Sequence, residues 1–229
     1  MRLLSSSAAL LSLSLIAGCG SDSPAACCTA DQPALRVVNA FTSPIDVLID
    51  GNVVIASLAA GTIGTATSAA GSHALVLRPA GSGASVSQSV TTTTGAVSTI
   101  AAVRSVSGAV SSVALDDTNS IVPAGATKVR VIHFAANAGT LQVYRTQPDF
   151  QQPISWQFPF TYQPTPTSLS APFYQSTVGS WEVRVWQTPA DASGWASAPV
   201  KVVIPLTSGQ KKTVLILDKP GGGVRVELI

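Results

Sequence analysis

Ile45-Asp46-Val47-Leu48-Ile49-Asp50-Gly51-Asn52-Val53-Val54-Ile55 decides the fold. Two runs rich in β-branched residues flank Asp50-Gly51. A two-residue hairpin turn needs positive φ, which Gly adopts without strain. The stretch therefore predicts antiparallel strands at Ile45 to Ile49 and Asn52 to Ile55, joined by a tight turn. Working outward, Leu35 to Asn39 and His73 to Leu77 read as further strands. The Ser- and Thr-rich run Gln88 to Gly95 would be a poor helix and makes an acceptable strand. Gly, Pro, Asn and Asp recur at close intervals between such runs, which is the pattern of an all-β sandwich. Only 10% of residues are charged, against about 25% in an average globular domain.

The body repeats itself. Leu35-Arg36-Val37-Val38-Asn39-Ala40 corresponds to Val129-Arg130-Val131-Ile132-His133-Phe134, 94 positions on. Gly71-Ser72-His73 corresponds to Gly179-Ser180-Trp181 at 108 positions, and Gly95, Thr99 and Gly108 to Gly209, Thr213 and Gly222 at 114. The displacement only grows, as insertions in the second copy would make it. The expected organisation is two tandem immunoglobulin-like antiparallel β-sandwiches, at 34–117 and 128–229, joined by a turn-rich linker at 118–127. The second copy carries an aromatic- and Pro-rich insertion at 147–172. Each copy is near the roughly 100 residues of one sandwich domain.

The N-terminus predicts an address. Met1-Arg2 supplies one positive charge, and Leu3 to Ala17 is uncharged and apolar. That run is shorter than the about 20 residues of a membrane span and fits the apolar region of a secretory signal. Leu15-Ile16-Ala17-Gly18-Cys19 then resembles the bacterial lipobox, which makes 1–18 a cleaved signal peptide and Cys19 the lipidated residue. Acylation on the Cys19 thiol and amine implies stable membrane attachment, since each buried CH₂ contributes about 0.8 kcal/mol and several chains hold where one does not. Gly20 after Cys19, where an Asp would mark inner-membrane retention, favours the outer membrane, with the domains facing either the surface or the periplasm. Residues 19–33 have the small, polar, Pro-interrupted composition of a flexible tether. Cleavage removes one base and no acid, leaving a near-neutral chain. Nucleic acid, which asks for a basic patch, is not expected as a partner. Cys27-Cys28 are the remaining cysteines, so no disulfide framework staples the fold.

Arg36-Val37-Val38-Asn39-Ala40, Ile45-Asp46-Val47-Leu48-Ile49-Asp50-Gly51 and Leu77-Arg78-Pro79-Ala80-Gly81 together resemble the domain of unknown function 4397 family. The resemblance implies immunoglobulin-like repeats in secreted or lipid-anchored bacterial proteins. It is strong over Leu35 to about Asp117. It weakens over the second copy, where the hairpin motif is reduced to Leu141-Gln142-Val143-Tyr144. It implies no catalytic residues and no cofactor.

The residues give little acid–base or metal chemistry. His133 falls where the first copy has Asn39, which predicts a hydrogen-bonding role at a strand end. His73 falls where the second copy has Trp181. Gly-x-Ser-x-Gly and phosphate-cradling glycine motifs are absent. Asp116-Asp117 with Asn119 reads as a solvated turn, calcium being the alternative, and no metal site is expected. Aromatics distinguish the copies: Trp156, Trp181, Trp186 and Trp195 and all tyrosines lie in the second. Alternation places Trp181 toward a core and Trp186 outward with Glu182 and Arg184. Trp156, Tyr162, Trp186 and Trp195 are accordingly the candidate contact residues for a protein or glycan ligand. The expected function is a non-enzymatic binding, adhesion or structural module anchored to the membrane by its lipid. The alternative is an envelope-polymer hydrolase with an unconventional site.

Overall fold

The computed structural model describes residues 32–116, 121–146, 148, 154–160, 168–169, 173–187, 198 and 200–229. All belong to one compact unit, Asp31–Ile229. The signal segment, Cys19, Cys27, Cys28, Asp117 and Asn119 lie outside the described residues. Among the described residues the regular elements are all strands.

The N-terminal half contains β1 (Ala34–Asn39), β2 (Ile45–Ile49), β3 (Asn52–Leu58), β4 (Ile63–Thr67), β5 (Gly71–Pro79), β6 (Val86–Thr92), β7 (Val97–Arg104) and β8 (Val110–Leu115). They form two sheets, β3-β2-β5-β6 and β8-β7-β1-β4. The C-terminal half contains β9 (Ala126–His133), β10 (Leu141–Thr146), β11 (Ile154–Phe160), β12 (Ser168–Leu169), β13 (Tyr174–Thr177), β14 (Gly179–Gln187), β15 (Val200–Leu206), β16 (Lys211–Asp218) and β17 (Val224–Leu228). Its sheets, β11-β10-β14-β15 and β17-β16-β9-β13, run in the same order. The hairpin turn is as the sequence predicts: Asp50 and Gly51 both have positive φ, at 51° and 81°. Asp46 supports the same hairpin further back. Its carboxylate accepts from the Ser57 amide at 3.0 Å, where Ser57 itself takes positive φ beside a register shift in the β2–β3 pair.

Each sandwich departs from pure antiparallel pairing at one place. β1 runs parallel to β7, and β9 parallel to β16. A parallel pair needs a crossover. Here the intervening hairpins of the facing sheet supply it, so β1 and β9 sit in the middle of their sheets.

Side chains of the four sheets make three cores. Leu35, Val37, Val47, Leu75 and Ile100 lie between the two N-terminal sheets. Val129, Val143, Val183, Ile204 and Ile216 lie between the two C-terminal sheets. A third cluster joins the halves: Val38, Ala40, Ala101, Val103, Val113 and Leu115 meet Ile132, Phe134, Leu215 and Leu217. The sheets containing β1 and β9 therefore pack face to face, and each is covered on both sides. Alternation makes the division. Along β1, Leu35 and Val37 point into the N-terminal sandwich while Val38 and the following Ala40 point at the other half. The contact uses corresponding faces, since Val38, Ala101 and Val103 hold places in β1 and β7 that Ile132, Leu215 and Leu217 hold in β9 and β16 of the C-terminal half.

Two further features tie the halves together. Gly61 is buried in the β3–β4 turn with φ +71°, and a Cβ there would meet the Asp218 carbonyl oxygen at 2.9 Å. Ser168 and Leu169 pair in parallel with Ala114 and Leu115 of β8. The stretch 147–172 is thus more than one excursion. Its β11 occupies the position that β3 holds in the first half, and its β12 extends a sheet of the other half. The expected linker at 118–127 also overlaps a strand, because β9 begins at Ala126.

Candidate functional site

Of the residues expected to contact a ligand, Trp156 lies on β11 and Trp186 on β14, where Trp186 is in register with Gln142. Their side chains, and Tyr162 and Trp195 altogether, lie outside the described residues, as does the lipidation candidate Cys19. Alternation had placed Trp186 on an exposed face with Glu182 and Arg184. That expectation needs correction for its neighbours: Glu182 and Arg184 are both buried and form an ion pair with one another. Trp181 packs half-buried against the C-terminal core, with its indole N–H donated to the Thr177 carbonyl at 3.0 Å. The Arg145 guanidinium stacks over its ring at 4.9 Å, within the range of cation–π attraction.

The hairpin motif builds a histidine–carboxylate pair that the sequence did not suggest. One oxygen of Asp50 accepts from the Ala74 amide at 2.8 Å and the other meets His73 Nδ1 at 2.7 Å. His73 Nε2 lies 2.9 Å from the Ala69 carbonyl. A carboxylate and a carbonyl only accept, so the pair of contacts favours a ring that donates from both nitrogens, the protonated form. The bond to Asp50, then the one to Ala69, hold the His73 pKa above its usual range, and the same His73 bond and the Ala74 amide hold Asp50 below its own. With Nε2 on a backbone carbonyl, His73 has no lone pair for a nearby hydroxyl. Ser72 instead pairs with Ser89 across the strands at 3.0 Å.

His133 plays the strand-end role expected of it. In the first half, Asn39 Oδ1 accepts from the amide two residues on, that of Phe41, at 3.0 Å, and its Nδ2 donates to loop carbonyls. In the second, His133 Nδ1 accepts from the amide two residues on, that of Ala135, at 3.2 Å, and Nε2 donates to the Gly139 carbonyl at 2.6 Å. An accepting Nδ1 makes the ring neutral, and burial pushes its pKa down. The unfolded chain therefore binds the proton more readily. Stability held above about pH 6.5, the ordinary histidine value, declines as the pH falls below it. His133→Asn keeps the acceptor for Ala135 and is expected to cost about 1 kcal/mol, whereas His133→Ala loses both bonds and about 2–4 kcal/mol. Urea midpoints at two pH values check this: wild type should lose stability relative to His133→Asn on acidification from pH 7.5 to 5. An unchanged difference would remove His133 as the titrating group.

A cleft of about 300 Å³ opens where the halves meet. Phe41 and Thr42 of the β1–β2 loop and the Gly61 turn line it from one half. Asn137 and the β16–β17 hairpin, beginning at Asp218, line it from the other. Asp218 is half-buried. Its carboxylate accepts from the Asn137 amide, at 3.3 Å to each oxygen, and from Asn137 Nδ2 at 3.1 Å. Burial pushes its pKa up, against the opposing pull of the Asn137 and Ala136 amides and of Arg104. Perturbed carboxyls in clefts mark candidate sites. Asp218 was not among the residues the sequence singled out; 114 positions earlier, at the corresponding place, stands Arg104. That change of charge at corresponding positions was the available signal. Arg104 reaches across the junction to the Ala136 carbonyl at 3.4 Å, while Asp218 turns back onto Asn137 of its own half. Among the described residues no group of three His, Cys, Asp or Glu converges as a metal site.

Fold and cleft together define an all-β protein of stacked sandwiches with a binding-sized junction. Residues 33–144 match the model of a family described as Domain of unknown function (DUF4397), a match spanning the N-terminal sandwich and continuing into β10. No curated protein matches the chain. Among solved structures, one similar chain is in the product complex of a multi-modular glycogen-degrading pneumococcal virulence factor, SpuA. The identity is 10% and the TM-score 0.27, over 85% of this chain and 22% of that one. This chain thus spans about a fifth of that protein's length, and the likeness is too distant to bear on fold or function.

Proposed function

We propose that the chain is a lipid-anchored cell-envelope protein of the outer membrane, acting as a non-enzymatic binding or structural module. Its halves are tandem copies of one sandwich module, as the repeated strand order and the correspondences from Leu35 to Gly222 support. The observation that carries the non-enzymatic reading is the use of both histidines. Each ring nitrogen of His73 and His133 is engaged by the hairpin or loop it braces. The usual general bases are therefore fold-supporting groups. Among the described residues, a hydrolase reading would start from Asp218, the one carboxylate in the cleft lining. The lipobox residues Leu15 to Cys19 carry the anchor.

Cell fractionation tests the anchor. Cys19→Ala should move the protein from the membrane pellet to the soluble fraction, with unchanged circular dichroism. A variant that still sediments after a salt wash would show that something other than lipid holds it. Protease shaving of intact cells then reads orientation. Digestion places the sandwiches outside, where adhesion to a protein or glycan fits. Protection until the outer membrane is opened places them in the periplasm, among envelope partners.

A further inference from the structure

The junction cleft has a wall, an acceptor and a size that together restrict its ligand. Its volume, about 300 Å³, sits at the lower end of small-molecule pockets, about 300–1,000 Å³. Phe41 presents aromatic surface, and Ala40, Ala60 and Ala138 add small apolar ones. Against these stand the Asp218 carboxylate, already steadied by three contacts from Asn137, and the exposed Thr42 hydroxyl. The charges in the cleft lining balance, one acid against one base: Lys219 adjoins Asp218. Arg104, outside the lining, donates to the Ala136 carbonyl. A cationic ligand would meet Lys219, and an anionic one would meet the Asp218 carboxylate. The surroundings favour a neutral molecule with one apolar face and several hydroxyl donors.

We infer that this cleft binds a single neutral sugar ring, its apolar face against Phe41 and its hydroxyls donated to Asp218 and accepted from Asn137 and Thr42. At the junction, loops of the two copies with different residues face one another, which lets such a site arise there. At the position corresponding to Asp218, Arg104 already spans the junction to Ala136, so the two copies are used unequally. The inference rests on the binding-module reading and is independent of the anchor.

Saturation-transfer difference NMR on the full chain in detergent micelles tests it. The probes are glucose, galactose and N-acetylglucosamine, a hexose disaccharide, and ethanolamine as a cationic control. The expected result is millimolar binding of at least one neutral hexose and none of ethanolamine. Disaccharide binding through one terminal ring would indicate a glycan end, and monosaccharide binding alone a free sugar. Asp218→Asn, nearly isosteric, should weaken binding tenfold or more. Thr42→Trp, at an exposed rim position, should abolish it by filling the cleft, with its melting curve unchanged. Absence of signal at tens of millimolar sugar, or preference for ethanolamine, overturns the inference. Sugar binding that survives both variants would also overturn it, while leaving a binding module with its site elsewhere.

Discussion

Phe134→Ala should lower the stability of both halves together, by about 3–5 kcal/mol. Phe134 is fully buried in the central cluster, among residues of both halves. Truncating it removes a large apolar contact and leaves a cavity that two rigid sheets close poorly. If that cluster couples the halves, urea unfolding is one transition in wild type, and the substitution shifts it without splitting it. The sequence supplies a convenient probe. All four tryptophans lie in the C-terminal half, so indole fluorescence follows that half while far-ultraviolet circular dichroism follows both. Coincident curves are expected before and after substitution. Curves that separate in wild type would mean two independently stable sandwiches that merely touch.

That coupling bears on what the sequence makes legible. The hairpin at Asp50-Gly51 was readable because a tight turn has few solutions and each demands particular residues. Gly71 and Gly179, which the sequence sets against one another, both open strands with positive φ, at 141° and 131°. The packing of one half on the other left a fainter mark. A strand with one wet face alternates, but Ile100-Ala101-Ala102-Val103 and Val214-Leu215-Ile216-Leu217 do not. Unbroken apolar runs are what a sheet covered on both faces requires, and here they identify β7 and β16 as interior strands. The cleft was less accessible still. It is made by four loops far apart in sequence, and Asp218 becomes distinctive only beside Asn137 and across from the first half. No local pattern encodes that meeting. The aromatic candidates Trp156, Tyr162, Trp186 and Trp195 came from composition, which locates residue types and says nothing of where their rings converge.

Arg130→Ala should cost about 3–5 kcal/mol, an effect comparable to opening the central core, because hydrogen bonds to a charged group contribute about 1.5–3 kcal/mol each. Arg130 is 0% exposed. Its Nε donates to Thr213 Oγ1 at 2.9 Å and its Nη1 to the Asp116 carbonyl at 2.7 Å, while its guanidinium lies 4.4 Å from the Phe173 ring centre. One side chain thus fixes β16, the junction segment after β8, and the entry to β13. Lysine should restore little, since a single ammonium cannot reproduce the planar fork. The first copy supplies an internal control. Arg36 is in register with Thr99 as Arg130 is with Thr213, yet Arg36 is half-exposed and the buried Thr99 hydroxyl has no hydrogen-bond partner among the described residues. The same substitution should therefore have opposite signs in the two copies. Thr99→Val removes an unsatisfied buried hydroxyl and should stabilise by about 1 kcal/mol, whereas Thr213→Val strips Arg130 of an acceptor and should cost about 1–3 kcal/mol. Urea midpoints of the two variants decide it. Equal effects at both positions would mean that the Arg130–Thr213 bond contributes nothing beyond what any buried threonine does, and the large loss expected for Arg130→Ala would then have to come from its other contacts, those to Asp116 and Phe173 among them.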